Sequence, residues 1–230
     1  VNVGVVGVGG RGLQNLRALL DLADVRVTAV ADPAREFSLE AFYYKGAGGR
    51  APARAAVEKR HGESEPGFRC AEYEDFRVML DKMGKEIDAV CVNTPDHTHF
   101  AATLEAMQRG KHVITQKPLT HDIWQARTLR LAAKKYKVVT NMGNQGHTYD
   151  GIRKMKEWVE AGILGQVTEI HSGINGPDWK GGYFRKPAKF PLDPEPVPAG
   201  MNWDLWIGPR ELRDFHAAYH PVSWRDFWAF

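Results

Sequence analysis

Val3-Gly4-Val5-Val6-Gly7-Val8-Gly9-Gly10-Arg11-Gly12 opens the chain, and Leu13–Leu22 follows it. The apolar run Val3–Val8 reads as a short strand and Leu13–Leu22 as a helix. Gly7, Gly9 and Gly12 therefore form G-x-G-x-x-G in a strand–turn–helix setting. Gly7 permits the tight turn, Gly9 lets the backbone approach a pyrophosphate, and Gly12 lets the helix pack closely on the strand. Gly10 and Arg11 complete the turn, and the helix N-terminus offers free N–H groups to phosphates. The stretch predicts a dinucleotide site.

The next apolar run, Val25–Ala31, ends at Asp32, about 20 residues past the last glycine, where a Rossmann fold places the carboxylate that binds ribose hydroxyls. The alternative is a strand-terminal Asp that caps a turn before Pro33. Asp32 favours NAD over NADP, because it would repel a 2′-phosphate, although Arg35 is close by in sequence.

The 230 residues are enough to bury a sizeable core in one or two domains. Hydrophobic residues make up 43% and charged residues 26%, as in ordinary globular proteins. A net charge of +3, with dispersed basic residues, argues against a nucleic-acid partner. No apolar run approaches the ~20 residues of a membrane span. Cys70 and Cys91 read as core thiols, not as a disulfide framework. No signal peptide is visible before the first strand. The compartment reads as the cytoplasm, or as the periplasm where an export signal has been removed.

Strand and helix alternate through about the first 145 residues, which implies a doubly wound parallel sheet. A helical, basic crossover, interrupted at Gly46–Gly49, is expected through Arg60. Then come a strand at Phe68–Ala71 and a helix at Tyr73–Met83. Ile87–Asn93, His112–Thr115 and Val138–Met142 read as further strands. The helix Ala101–Arg109 stops at Gly110, and Asp122 caps a helix that runs through Lys135. Residues 1–145 thus form a dinucleotide-binding domain, and 146–230 begin a second, α+β domain. That domain opens with the helix Tyr149–Ala161. Gln166–Ser172 follows with the alternation of a half-buried strand. Five of the seven tryptophans fall beyond Gly173. The apolar ending Trp228-Ala229-Phe230 suggests that this second domain continues.

Two loops follow strand ends, the edge where open α/β sheets bind ligands. They are Asn93-Thr94-Pro95-Asp96-His97-Thr98-His99 and Gln116-Lys117-Pro118. His97 and His99 lack a third metal ligand at sensible spacing, so they are expected near the cofactor, with no metal. His216 and His220 read as surface or pocket residues. Lys117 at this edge is either a solvated loop lysine or, if buried, a proton-transfer group with lowered pKa.

The glycine turn, Asp32, Thr94-Pro95 with His97 and His99, and Gln116-Lys117-Pro118 together resemble the Gfo/Idh/MocA oxidoreductases. The likeness covers essentially the whole chain. Gln116 stands where that family's Glu-Lys-Pro signature has its acid. Gly143-Asn144-Gln145-Gly146-His147 and Trp224-Arg225-Asp226-Phe227-Trp228 look like a bacterial sugar-active branch. The resemblance implies a Rossmann domain followed by a domain with a mostly antiparallel sheet, through which the protein forms a homo-oligomer. It implies NAD(P), with Gln116, Lys117 and Asn144 at the cofactor and Lys117 beside the substrate carbon. The family's catalytic acidic-x-x-x-His segment would fall after Phe230. The expected substrate is a sugar or polyol, with the aromatic faces of Trp179, Tyr183, Trp203 and Trp224 as candidate contacts. Two other readings stand beside an oxidoreductase. One is a glycoside hydrolase or lyase that oxidises its sugar transiently with bound NAD. The other is a non-catalytic NAD(H)-binding fragment or sensor.

Overall fold

The computed structural model describes residues 1–173 and 189–230. Its centre is a six-stranded sheet, all parallel, in the order β5-β2-β1-β6-β7-β8. The strands are β1 (Asn2–Val6), β2 (Arg26–Ala31), β5 (Ala71–Tyr73), β6 (Ala89–Val92), β7 (His112–Gln116) and β8 (Thr140–Gly143). This is the doubly wound Rossmann order, which reverses direction at β1 and β6 and so opens a crevice at their C-terminal ends.

Two apolar layers fill the two faces. Helices α1 (Arg11–Leu20) and α2 (Arg50–Gly62) cover one, around Val3, Val5, Leu16, Val27, Val57 and Cys91. Helices α3 (Phe76–Met83), α4 (His99–Gln108) and α5 (Ile123–Tyr136) cover the other, around Val6, Met79, Val92, Ala106, Val113 and Leu129. Alternation within β1 feeds both layers, as expected for a central parallel strand. Cys70 and Cys91 are buried free thiols; burial pushes Cys70 up to about 12 and Cys91 up to about 11. Asp122 caps α5 as expected, its side chain accepting from the Gln125 N–H.

Three expectations are corrected. The crossover after Asp32 is not helical until Arg50. A small hairpin, β3 (Phe37–Ser38) with β4 (Ala47–Gly48), comes first. Strands of two residues carry no readable alternation, whereas the basic residues around them suggested a helix. The strand expected at Phe68–Ala71 starts only at Ala71, because Phe68 and Cys70 are used to pack under α2. Gln166–Ser172 is exposed along its whole length instead of half-buried. No strand of the described residues forms over this span.

Residues 146–230 contribute α6 (Asp150–Glu160), α7 (Trp203–Ile207) and a 3-10 turn at Ser223–Asp226 among the described residues. Segment 200–230 folds back onto the sheet. The Arg35 N–H donates to the Gly200 carbonyl (2.8 Å), and the Asn202 N–H to that of Pro33 (3.0 Å). An aromatic cluster of Trp203, Trp206, Phe215, Tyr219, Trp224 and Phe230 holds the segment together. No helix of the described residues is long and apolar enough to cross a membrane.

Candidate functional site

The crevice at the ends of β1, β2, β5 and β6 is a cavity of about 460 Å³. Its floor is the glycine turn. Gly7 has φ +79°, and a Cβ there would come within 2.7 Å of the Asn93 carbonyl carbon. A Cβ on Gly12 would strike the Gly7 carbonyl oxygen, so α1 can pack on β1 only with glycine at this position. Gly10 is the N-cap of α1 and provides no side-chain cap, and the first turn holds no acid. The N-terminal dipole and N–H groups therefore remain available to an anion. Gly9 also makes room for the hairpin. A Cβ there would come 2.5 Å from Cζ of the Phe37 ring. Arg11 is exposed at the mouth.

Asp32 directly follows β2 and lies inside this cavity, only 7% exposed. Its carboxylate accepts from the Val8 N–H and the Ala34 N–H, each at 2.9 Å. It thus both caps the turn and faces the cleft, so the two sequence readings of it coexist. Burial raises its pKa to about 6, opposed by those two hydrogen bonds and by the Arg50 charge. Each carboxylate oxygen has a further lone pair for a hydroxyl donor. Beyond Asp32 the wall carries Glu74 and Asp75, with Arg77 paired to Asp75 at 2.7 Å. Thr94 and Pro95 form the opposite wall, and Thr94 Oγ1 is buried without a hydrogen-bond partner. A tight glycine cradle, an acid at a strand end and an orphaned hydroxyl fit a dinucleotide bound along this edge.

His97 and His99 do not line the cavity, contrary to expectation. The 3-10 turn Asp96–Thr98 swings both rings behind the loop. His97, 1% exposed, meets the Trp206 carbonyl through Nε2 (2.9 Å) and packs on the Trp206 and Phe230 rings. Burial pushes its pKa down to about 4. His99 joins the two loops instead. Its Nδ1 is 2.6 Å from the Pro118 carbonyl and its Nε2 2.8 Å from that of Thr94. Burial lowers its pKa, while the two carbonyls and Asp96 oppose that shift.

Gln116, Lys117 and Asn144 lie outside the enclosed cavity. Gln116 is buried against Gly143, whereas Lys117 is exposed, as a solvated loop lysine would be. The cavity therefore encloses the end of the crevice near β2 and β5 and leaves the Lys117 end open. Trp203 is corrected to a core residue: it stacks on Trp206 at 4.6 Å, and its indole N–H donates to the Arg213 carbonyl. Trp224 does line the cleft, under the Arg225 guanidinium at 4.1 Å. Trp179 and Tyr183 fall outside the described residues. Among the described residues no three His, Cys, Asp or Glu side chains converge as a metal site. The sequence reading missed the hairpin aromatics Phe37 and Tyr44 as cleft walls. Their alignment over Gly9 and Gly10 leaves no local signal.

Fold and site together define a dinucleotide-binding Rossmann protein. Residues 1–144 match the model of an oxidoreductase family with an NAD-binding Rossmann fold, and residues 149–230 match that of the family's C-terminal alpha/beta domain. The chain belongs to the Gfo/Idh/MocA oxidoreductase family. Inositol 2-dehydrogenase 1 of Saccharopolyspora erythraea is 30% identical over 175 residues, 74% of this chain and 44% of that protein. A glycosyl hydrolase family 109 protein of the same species is 29% identical over 170 residues, 73% of this chain and 33% of that protein. The solved scyllo-inositol dehydrogenase of Lactobacillus casei, with NAD(H) and scyllo-inositol, superposes with a TM-score of 0.58 at 20% identity. That match covers 73% of this chain and 43% of the other and shows a shared fold. The chain spans less than half the length of each of these three proteins.

Proposed function

We propose that the chain is the cofactor-holding part of an NAD-dependent oxidoreductase that acts on a hydroxyl of a sugar, polyol or glycoside. Residues 1–145 hold the dinucleotide, and 146–230 begin the substrate and oligomerisation domain. The observation that carries this reading is the cavity joining the glycine turn, Asp32 and Thr94. The turn and the α1 N-terminus bind the pyrophosphate. Asp32 accepts from the ribose hydroxyls. Its charge disfavours the extra phosphate of NADP, whereas Glu74 and Asp75 beside it are already paired with Arg50 and Arg77. A bound nicotinamide supplies the hydride acceptor for a carbinol carbon. Lys117, held at the open end by Pro118 and the His99 bridge, takes part in moving the hydroxyl proton. Trp224 offers an aromatic face in the cleft.

A second reading is favoured by the glycosyl hydrolase relative: transient oxidation of a bound glycoside, loss of its leaving group, and re-reduction. The two readings are separated by following NADH together with leaving-group release. With NAD and a panel of inositols, aldoses and aryl glycosides, net NADH accumulation that Lys117→Ala reduces at unchanged NAD affinity supports the first. Leaving-group release without net NADH supports the second. Turnover unchanged by Lys117→Ala would overturn the role given to that residue.

A further inference from the structure

His220 is a polar side chain of the cleft with no part in the contacts described above. It comes from the returning segment, 123 positions after His97 in the numbering, yet it lines the same cavity as Gly9 and Thr94. Its ring stands edge-on to Phe37 at 4.6 Å and to Trp206 at 5.9 Å. Phe37 in turn covers Gly9, so His220 is one aromatic ring removed from the glycine turn. Neither of its ring nitrogens has a hydrogen-bond partner among the described residues. Burial is the single cause acting on its pKa, which it pushes down to about 3. The ring is therefore neutral, with one N–H to donate and one bare nitrogen to accept. Its aromatic neighbours Phe37 and Trp206 offer it no acceptor through their rings, and the half-buried imidazole lines the cleft with its hydrogen-bonding capacity unused by those neighbours.

We infer that His220 is a cofactor-positioning residue, whose imidazole hydrogen-bonds the pyrophosphate–ribose stretch of a dinucleotide lying on the Gly9 turn. The inference rests on the dinucleotide reading above and adds to it a contact supplied by the second region of the chain. Because the ring is neutral, it contributes direction and not charge. It suits an oxygen that also receives N–H groups from the turn, or a ribose hydroxyl that both donates and accepts.

Two substitutions separate positioning from packing. His220→Phe keeps a ring against Phe37 and Trp206 and removes both polar atoms. His220→Gln restores a donor and an acceptor. The probe is ADP-ribose, titrated into the 230-residue chain by calorimetry alongside thermal melts. His220→Phe is expected to melt at or above the wild-type temperature and to bind ADP-ribose about tenfold more weakly, while His220→Gln recovers most of the loss. In the wild-type chain with 15N-labelled histidine, ADP-ribose is expected to shift the His220 imidazole signals, a readout independent of how the variants fold. Wild-type binding with His220→Phe equally tight, or with unmoved His220 signals, would overturn the inference alone. Failure of the wild-type chain to bind ADP-ribose would instead overturn the dinucleotide reading on which it rests.

Discussion

Asp32 carries two duties on one carboxylate. It ties down Val8 in the turn and Ala34 after β2, and it faces the cleft. Burial raises its pKa from 3.8 to about 6. For a raised group, the contribution to stability is fully present below the unfolded pKa and is lost as pH rises through the folded one. Binding has the opposite sign, because ribose hydroxyls donate to the ionised form. NAD affinity is therefore expected to fall as pH drops from 7 to 5, measured by calorimetry in matched ionic strength. Asp32→Asn should remove that dependence and weaken binding about ten- to a hundredfold, as for hydrogen bonds to a charged group. An unchanged pH profile in that variant would contradict the assignment. Asp32 was legible because strand length and spacing fix where β2 ends. His97 was not, since a histidine after a strand looks the same whether it meets ligand or core. Its partner, the Trp206 carbonyl, is 109 residues away in sequence. His97→Ala is accordingly expected to cost about 2–4 kcal/mol through a lost contact and a cavity, lowering Tm by several degrees. NAD affinity should stay within about twofold, because the ring does not line the cleft. A strong loss of affinity at unchanged Tm would restore a direct cofactor role.

At the scale of elements, the β1–turn–α1 unit was readable because every level agrees: an apolar run, glycines at fixed offsets, then a leucine-rich helix. Gly12→Ala tests it. The added methyl meets the Gly7 carbonyl, which belongs to backbone and cannot rotate away. The variant is expected to lose about 1–3 kcal/mol of stability and all measurable NAD binding. Asp122→Ala, which removes only the α5 cap, should cost about 1 kcal/mol and leave NAD binding alone. Equal effects of the two on binding would deny the turn its special place. The β3–β4 hairpin shows the opposite case. Two-residue strands leave no periodic trace, and the value of Phe37 and Tyr44 appears only when they are folded onto Gly9 and Gly10.

For the molecule as a whole, the returning segment matters more than the end of the chain. Phe230 is buried in the aromatic cluster, although Trp228 beside it is exposed. The apolar surface that remains lies on α6 and beyond, where Ile152, Met155, Trp158, Val159 and Ile163 are all exposed. A contiguous apolar stripe of this kind seeks cover. We expect the chain to self-associate at micromolar concentration by light scattering, and Ile152→Lys with Val159→Lys to shift it toward monomer. A wild-type chain that is monomeric throughout would contradict this.

The central claim is that the glycine turn, Asp32 and Thr94 form one dinucleotide site. Its most direct test is a calorimetric titration of the wild-type chain with NAD and, separately, NADP. Saturable binding of one NAD per chain is expected, with NADP weaker because the Asp32 carboxylate would meet its extra phosphate. No binding heat with either dinucleotide at millimolar concentration would contradict it.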